Sequence, residues 1–243
     1  MEGDVREWIS AETAHFQHWL AFAAGRFEEG RNVGEYLLRR ISRRPVRCLD
    51  VGSGNGGVSL GVANYEDIEV WALDTFLHKQ FRELRRQVEI PVKQIVGRGQ
   101  FLPFQQNSFD AVLCVETLEH MEAPSDLGRE IMRVLRPDGI CMIATPARFR
   151  YVFARDPHYG IPGLLLFPDA IQRLIATRLW SIENYDVEHT YWHVSGVSRL
   201  FPGPKTIKMM WNRPVPFRSR LLNRFWWMAR SFLWDRIIIE KAR

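Results

Sequence analysis

The chain reads as an α/β protein built on a doubly wound, mostly parallel sheet. Three observations carry this expectation. Short apolar runs alternate with helical patterns from Val46 onward, a glycine-rich turn follows the first run directly, and 46% of the 243 residues are hydrophobic with no run long enough to span a bilayer. Short apolar strands separated by helices imply a sheet covered on both faces and right-handed crossovers.

The segment from about Val5 to Ile41 is expected to be helical. Apolar positions recur at helical spacing through Phe16, Trp19, Leu20, Phe22 and Ala23, then Val33, Tyr36, Leu37 and Ile41. Residues 1–45 form an N-terminal helical cap in this reading, closed by the basic run from Arg39 to Arg44 and Pro45. Strands follow at Val46–Val51, Ile68–Leu73, Pro91–Val96 and Phe109–Val115. The helices between them end near Ala63 and cover His78 to Val88. A helix over Ser125–Leu135 is closed by Arg136-Pro137-Asp138-Gly139, and Ile140–Ala144 is the fifth strand. Beyond it the pattern loosens. Helices are expected at Asp169–Leu179 and Leu221–Phe232, and late strands at Thr206–Trp211 and Ile237–Glu240, which brings the strand count to seven.

The three cysteines, Cys48, Cys114 and Cys141, each lie inside an apolar strand run, where a thiol behaves as a small hydrophobe. Their odd number and their spacing exclude a disulfide framework and a cysteine zinc site, and no metal is expected. The acidic start at Met1 to Asp4 lacks the basic character of a signal peptide, so a cytoplasmic location is expected. Charge is uneven. From Arg199 to Arg243 eleven Lys and Arg face only Asp235 and Glu240, a net +9, leaving −4 of the total +5 on the preceding 198 residues.

The turn after the first strand reads Asp50-Val51-Gly52-Ser53-Gly54-Asn55-Gly56-Gly57. Glycines there permit positive torsions and close backbone approach to a ligand at the carboxyl end of a strand. Gly52, Gly54 and Gly57 also satisfy G-x-G-x-x-G, so the loop alone fits a dinucleotide as well as other adenosine cofactors. Asp74 closes the second strand 24 residues after Asp50, where a carboxylate can accept hydrogen bonds from both hydroxyls of an adenosine ribose.

Over Leu49 to Pro146 the sequence resembles the class I S-adenosylmethionine-dependent methyltransferases of the small-molecule group. The matching pieces are Leu49 to Gly56, Asp74, Leu102-Pro103-Phe104, Ser108-Phe109-Asp110, Leu118-Glu119-His120 and Val134 to Gly139. The resemblance implies a seven-stranded Rossmann-like sheet over residues 46–243, with acceptor-side insertions and a basic aromatic helix within 147–235. It implies S-adenosyl-L-methionine as cofactor, with Gly52, Ser53, Gly54, Asn55 and Gly56 at the methionine moiety and Asp50 fixing its ammonium through water or backbone neighbours. Asp74 and Thr75 would hold the ribose, Gln100 and Phe101 the adenine side, and Val115, Glu116 and Thr117 the space near the sulfonium. The sequence departs from the family at Gly97-Arg98-Gly99, where an aspartate commonly accepts the adenine amino group. Arg98 offers donors only, so backbone carbonyls or Gln100 must read the base.

Methyl transfer to a hydroxyl benefits from a general base, and histidine suits that role near neutral pH. His120 in the motif after the fourth strand is either structural or catalytic. His158, in the Pro- and Gly-punctuated stretch Arg155 to Gly163, is either the base or a loop residue tied by hydrogen bonds. Tyr159, Tyr191, Trp192 and His193 are expected at the acceptor. The expected reaction is methylation of a small-molecule or lipid- or glycan-linked acceptor at oxygen. RNA or protein methylation and an inactive cofactor-binding subunit are the alternatives.

Residues 214–234 interleave Arg218, Arg220, Arg224 and Arg230 with Phe217, Leu221, Phe225, Trp226 and Trp227. Three readings fit this tail. It packs on the sheet with its arginines solvated, it lies on an anionic membrane surface, or it binds RNA through arginine and aromatic stacking.

Overall fold

In the computed structural model of the chain, the described residues are 25–148, 158–191, 193–210 and 236–242. The strands take the order β3-β2-β1-β4-β5-β7-β6 in a seven-stranded sheet. Two compact units divide the chain between Gly97 and Arg98.

The first unit opens with α1, residues 25–40, and continues through β1 (Val46–Val51), α2 (Gly57–Ala63), β2 (Ile68–Asp74), α3 (Lys79–Val88) and β3 (Lys93–Val96). Its three strands are parallel, with Val46 opposite Ile68 and Trp71 opposite Lys93. Strands buried on both faces need continuous apolar runs, which is what Val46, Cys48, Leu49 and Val51 supply. Helix α3 is amphipathic. Phe81 and Leu84 are buried while Arg82, Glu83, Arg85 and Arg86 face water, and Glu89 ends it in the left-handed region. Helix α2 is buried along its whole length. It meets α1 backbone to backbone, since a Cβ on Gly30 would lie 2.2 Å from the Val58 carbonyl oxygen and one on Gly61 would lie 2.0 Å from that of Phe27.

The second unit holds β4 (Phe109–Val115), α4 (Pro124–Val134), β5 (Leu135–Ala144), α5 (Asp169–Leu179), α6 (Val194–Ser198), β6 (Lys205–Met210) and β7 (Arg236–Lys241). Strands β4 and β5 are parallel, and β7 runs antiparallel to both β5 and β6. The sequence places a turn at Arg136 to Gly139 before the fifth strand. In the structure β5 already starts at Leu135, because Phe109 pairs with Leu135 and Ala111 with Ile140, so that residues 136–139 bulge out of the ladder. Arg136 pins the bulge to the Asp110 carboxylate at 2.6 Å and the Asn107 carbonyl at 3.1 Å. Helix α4 starts with Pro124 in its first turn and buries Leu127, Ile131 and Val134 on one face. Lys241 closes the far end of the helix, its ammonium donating to the Met132 and Leu135 carbonyls at 2.7 and 2.6 Å.

All three cysteines are buried and free, and burial pushes the Cys141 thiol up beyond any physiological ionisation. The expected helical positions Phe16 to Ala23 and Leu221 to Phe232 lie outside the described residues, as does Trp192. Among the described residues, no helix is long and apolar enough to cross a membrane.

Candidate active site

In the first unit the chain leaves β1 at Val51 and turns through three glycines with positive φ, Gly52 at 75°, Gly54 at 52° and Gly56 at 82°. The loop holds itself. Gly52 and Ser53 donate to the Leu73 carbonyl at 2.8 and 3.1 Å, Gly56 to that of Ser53 at 2.9 Å, and the Asn55 side chain accepts from Gly57 at 3.0 Å. These glycines are not equivalent. A Cβ on Gly56 would sit 2.2 Å from the Phe81 ring, whereas around a Cβ on Gly54 there is nothing within 4 Å. Gly56 is small so that α3 can pack; Gly54 presents bare backbone to open space.

Asp74 at the end of β2 braces that loop. Its Oδ2 accepts the Gly54 amide at 2.8 Å with His78 3.6 Å away, and its Oδ1 takes the Thr75 amide at 2.7 Å and the Thr75 hydroxyl at 3.2 Å. Oδ2 thus keeps a lone pair for an incoming hydroxyl. Asp50 is buried and accepts from the Ser59 hydroxyl at 2.5 Å. Burial pushes its carboxyl up to about 6, opposed by the Ser59 hydrogen bond and helped by the charge of Asp74. Open backbone at Gly54, a carboxylate beside it and a desolvated acid at the strand end fit the ribose and ammonium groups of S-adenosylmethionine.

In the second unit the turn past β4 is strained. Glu116 adopts φ 49°, unusual for a side-chain-bearing residue, while its amide donates to the Ala144 carbonyl at 2.8 Å and the Thr117 hydroxyl to that of Val115 at 3.1 Å. Gln100 and Phe101 line a groove with Asp126, Arg129 and Glu130; Phe101 is 76% exposed. Behind them the Glu130–Arg133 pair fixes the Leu-Pro-Phe element, Glu130 accepting the Leu102 amide at 2.7 Å and Arg133 donating to the Leu102 and Phe104 carbonyls at 3.0 and 2.7 Å.

His120 and His158 meet edge to face, ring centroids 5.2 Å apart. Between them the sequence reading missed a third member, Glu119. It is fully buried, lies 3.6 Å from His158 Nε2, and neither of its carboxylate oxygens accepts a hydrogen bond. Its sequence signal is its place in the Leu118-Glu119-His120 piece, which the sequence reading used for the resemblance without giving Glu119 a role. The Tyr191 hydroxyl is likewise buried without a hydrogen-bond partner, and its ionisation is pushed far up by burial first and by the Glu119 charge next. Tyr159 and His193 are engaged locally. Tyr159 stacks on Tyr185 at 5.1 Å and its hydroxyl meets Asp186, while His193 accepts the Ser195 amide at 3.1 Å as the cap of α6.

A family model described as a methyltransferase domain matches residues 49–143. This segment is a methyltransferase domain. The chain is similar to a sterol 24-C-methyltransferase of Schizosaccharomyces pombe, 27% identical over 65% of this chain and 42% of that one. It is also similar to a ubiquinone biosynthesis O-methyltransferase of Xanthomonas oryzae, 33% identical over 49% of this chain and 51% of the relative. The chain thus spans about half, or less, of the length of these curated relatives. In fold it matches the YcgJ protein of Bacillus subtilis, with TM-score 0.57 and 16% identity over 89% of this chain and 99% of that one. A Pyrococcus horikoshii protein matches with TM-score 0.52 and 19% identity over 86% and 87%.

Proposed function

We propose that the chain transfers a methyl group from S-adenosylmethionine to a hydroxyl of an apolar small-molecule or lipid-linked acceptor. When bound, S-adenosylmethionine supplies a sulfonium-activated methyl carbon, and the protein's task is to bring the acceptor oxygen within about 3 Å of it and to exclude water. In the first unit Gly52 to Gly56 and Asp50 hold the methionine end and Asp74 with Thr75 the ribose. In the second, Gln100 and Phe101 serve the adenine, Phe101 offering an exposed ring face and Gln100 the acceptor that Arg98 lacks. The family resemblance assigns Val115, Glu116 and Thr117 to the sulfonium side.

The observation that carries a hydroxyl acceptor is the grouping of Glu119, His120 and His158. A neutral amine needs only desolvation to attack, whereas an alcohol must lose its proton, and this grouping is where that loss takes place. Tyr191 lends its buried hydroxyl to orient the acceptor. An apolar acceptor is supported by the relatives named for sterol and ubiquinone. It is supported further by a row of exposed apolar side chains around α5, including Phe167, Ile171, Leu174, Leu179 and Trp180.

Incubation with methyl-labelled S-adenosylmethionine and a fractionated cell extract tests this reading. Label is expected in the lipid or small-metabolite fraction. Label in RNA or protein, or no transfer at all, contradicts it. His158→Ala is expected to lower turnover at least about a hundredfold with cofactor affinity unchanged within a few-fold.

A further inference from the structure

The Glu119–His120–His158 grouping poses a problem that proton transfer alone does not solve. A fully buried carboxylate with no hydrogen-bond donor on either oxygen is costly, by several kcal/mol for an unpaired ion, and such groups in native proteins are compensated by a partner. Glu119 is that case, at 0% exposure. One potential ligand atom from each of Glu119, His120 and His158 falls within 4.8 Å of the other two. His158 Nε2 and Glu119 Oε1 are 3.6 Å apart. Ligands bonded at 2.0–2.1 Å to one tetrahedral cation lie about 3.3 Å from each other, so this pair needs only a small contraction and the others, within 4.8 Å, one of at most about 1.5 Å, within reach of side-chain rotation.

We propose that Glu119, His120 and His158 bind one divalent first-row transition cation. Two imidazoles and one carboxylate with an open fourth position form the ligand set of catalytic zinc and of related non-haem sites. His120 also has the outer support such ligands need. Its Nδ1 lies 3.0 Å from the Asp186 carbonyl oxygen and 3.5 Å from the Asp186 carboxylate. An Nδ1–H donated there leaves the Nε2 lone pair for a metal and fixes the ring's orientation. Asp186 is held in turn by the Tyr159 hydroxyl, which accepts its amide at 3.0 Å. Residues 119–120 follow β4, and residue 158 arrives from the stretch between β5 and α5, so the three ligands are adjacent only in the folded second unit.

The ligand class is set by the donors. Mixed nitrogen and oxygen ligands suit zinc, cobalt, manganese or iron(II), whereas magnesium and calcium prefer oxygen alone. The cation assignment rests on these side chains and not on the methyl-transfer reading. If that reading also holds, the fourth position is where an acceptor oxygen would bind, and the metal explains how its proton is lost.

Tag-free full-length protein, stripped with a chelator and dialysed, is titrated with cobalt(II) and separately with zinc. One equivalent per chain is expected, with a visible cobalt absorption band and a thermal midpoint that rises on binding. His158→Ala and His120→Ala, at partly exposed positions, are expected to retain their circular dichroism spectrum and lose at least about tenfold in affinity. Glu119→Gln, at the buried position, is expected to abolish the band. Absence of stoichiometric binding by the stripped wild type, or equal binding by both histidine variants, overturns the proposal. Binding is read without any acceptor, so failure of the methyl-transfer reading leaves this test intact. Conversely, metal-independent turnover by an enzyme that binds no cobalt removes the cation and spares the transferase.

Discussion

Gly54 and Gly56 share a loop and a positive φ, yet substitutions at them are expected to separate binding from folding. At Gly56 an alanine meets the Phe81 ring and a left-handed backbone together, a cost of about 2–5 kcal/mol in stability. At Gly54 the added methyl enters open space, so the cost is about 1 kcal/mol of backbone strain. Cofactor affinity is nonetheless expected to fall at least about tenfold, since the methyl occupies the ligand's approach. Thermal denaturation and calorimetry on both variants check this pair. Asp50 gives a pH signature with a definite sign. Its folded carboxyl titrates near 6 against an unfolded value of 3.8, so the native state binds the extra proton and this group's contribution declines as pH rises from about 4 to about 6. The shift of about two units corresponds to about 3 kcal/mol. Asp50→Asn is expected to lack that decline, and the wild-type-minus-variant stability difference measured across this window by urea melts isolates it. The loop and Asp74 were legible in the sequence because backbone need and strand position announce them. Glu119 was not, because its partner His158 is 39 positions away and burial has no signature at a single acidic residue.

At the level of elements, the apolar periodicity located almost every strand and helix of the described residues to within a few positions, from β1 at Val46–Val51 to β4 at Phe109–Val115. It failed at β5, where the residues read as a turn are a bulge inside the strand, held by Arg136 on Asp110. Local turn chemistry was read correctly there, and only the pairing with β4 reveals that the ladder resumes on both sides. Helix α1 docks through glycines whose role is invisible to hydropathy. Gly61→Ala places a methyl 2.0 Å from the Phe27 carbonyl oxygen, so the helices must separate. A loss of about 1–3 kcal/mol is expected, with faster amide exchange confined first to residues 25–40. The exposed row on and after α5 makes a second element-level prediction. Leu174 at 57%, Leu179 at 72% and Trp180 at 48% exposure form an apolar row with Arg178 alongside, while Arg173 is engaged by Glu188 at 2.5 Å, and contact of this row with an anionic lipid surface is open to test. The wild type is expected to sediment with phosphatidylglycerol vesicles and less so in high salt, and the triple serine variant at these three positions to remain in the supernatant. Sedimentation of that variant like the wild type contradicts a role for α5.

For the whole molecule, the parallel sheet and its strand order follow from alternating strands and helices. The late antiparallel strand could be located in the sequence but not oriented, because direction depends on a pairing partner far along the chain. The basic tail at residues 214–234 lies outside the described residues, so its membrane, RNA and core readings belong to the sequence alone. The acceptor is the least legible feature, since the methyltransferase-domain match ends at residue 143 and the residues expected at the acceptor, from Tyr159 to His193, all come after it. The central claim is that the chain binds S-adenosylmethionine through its glycine loop and Asp74 although Arg98 replaces the usual adenine acceptor. Isothermal calorimetry of the full chain with S-adenosylmethionine and with its demethylated product tests this most directly. One site of micromolar affinity, about −8 kcal/mol, weakened at least tenfold by Asp74→Ala, is the predicted result. No heat with either ligand contradicts the account.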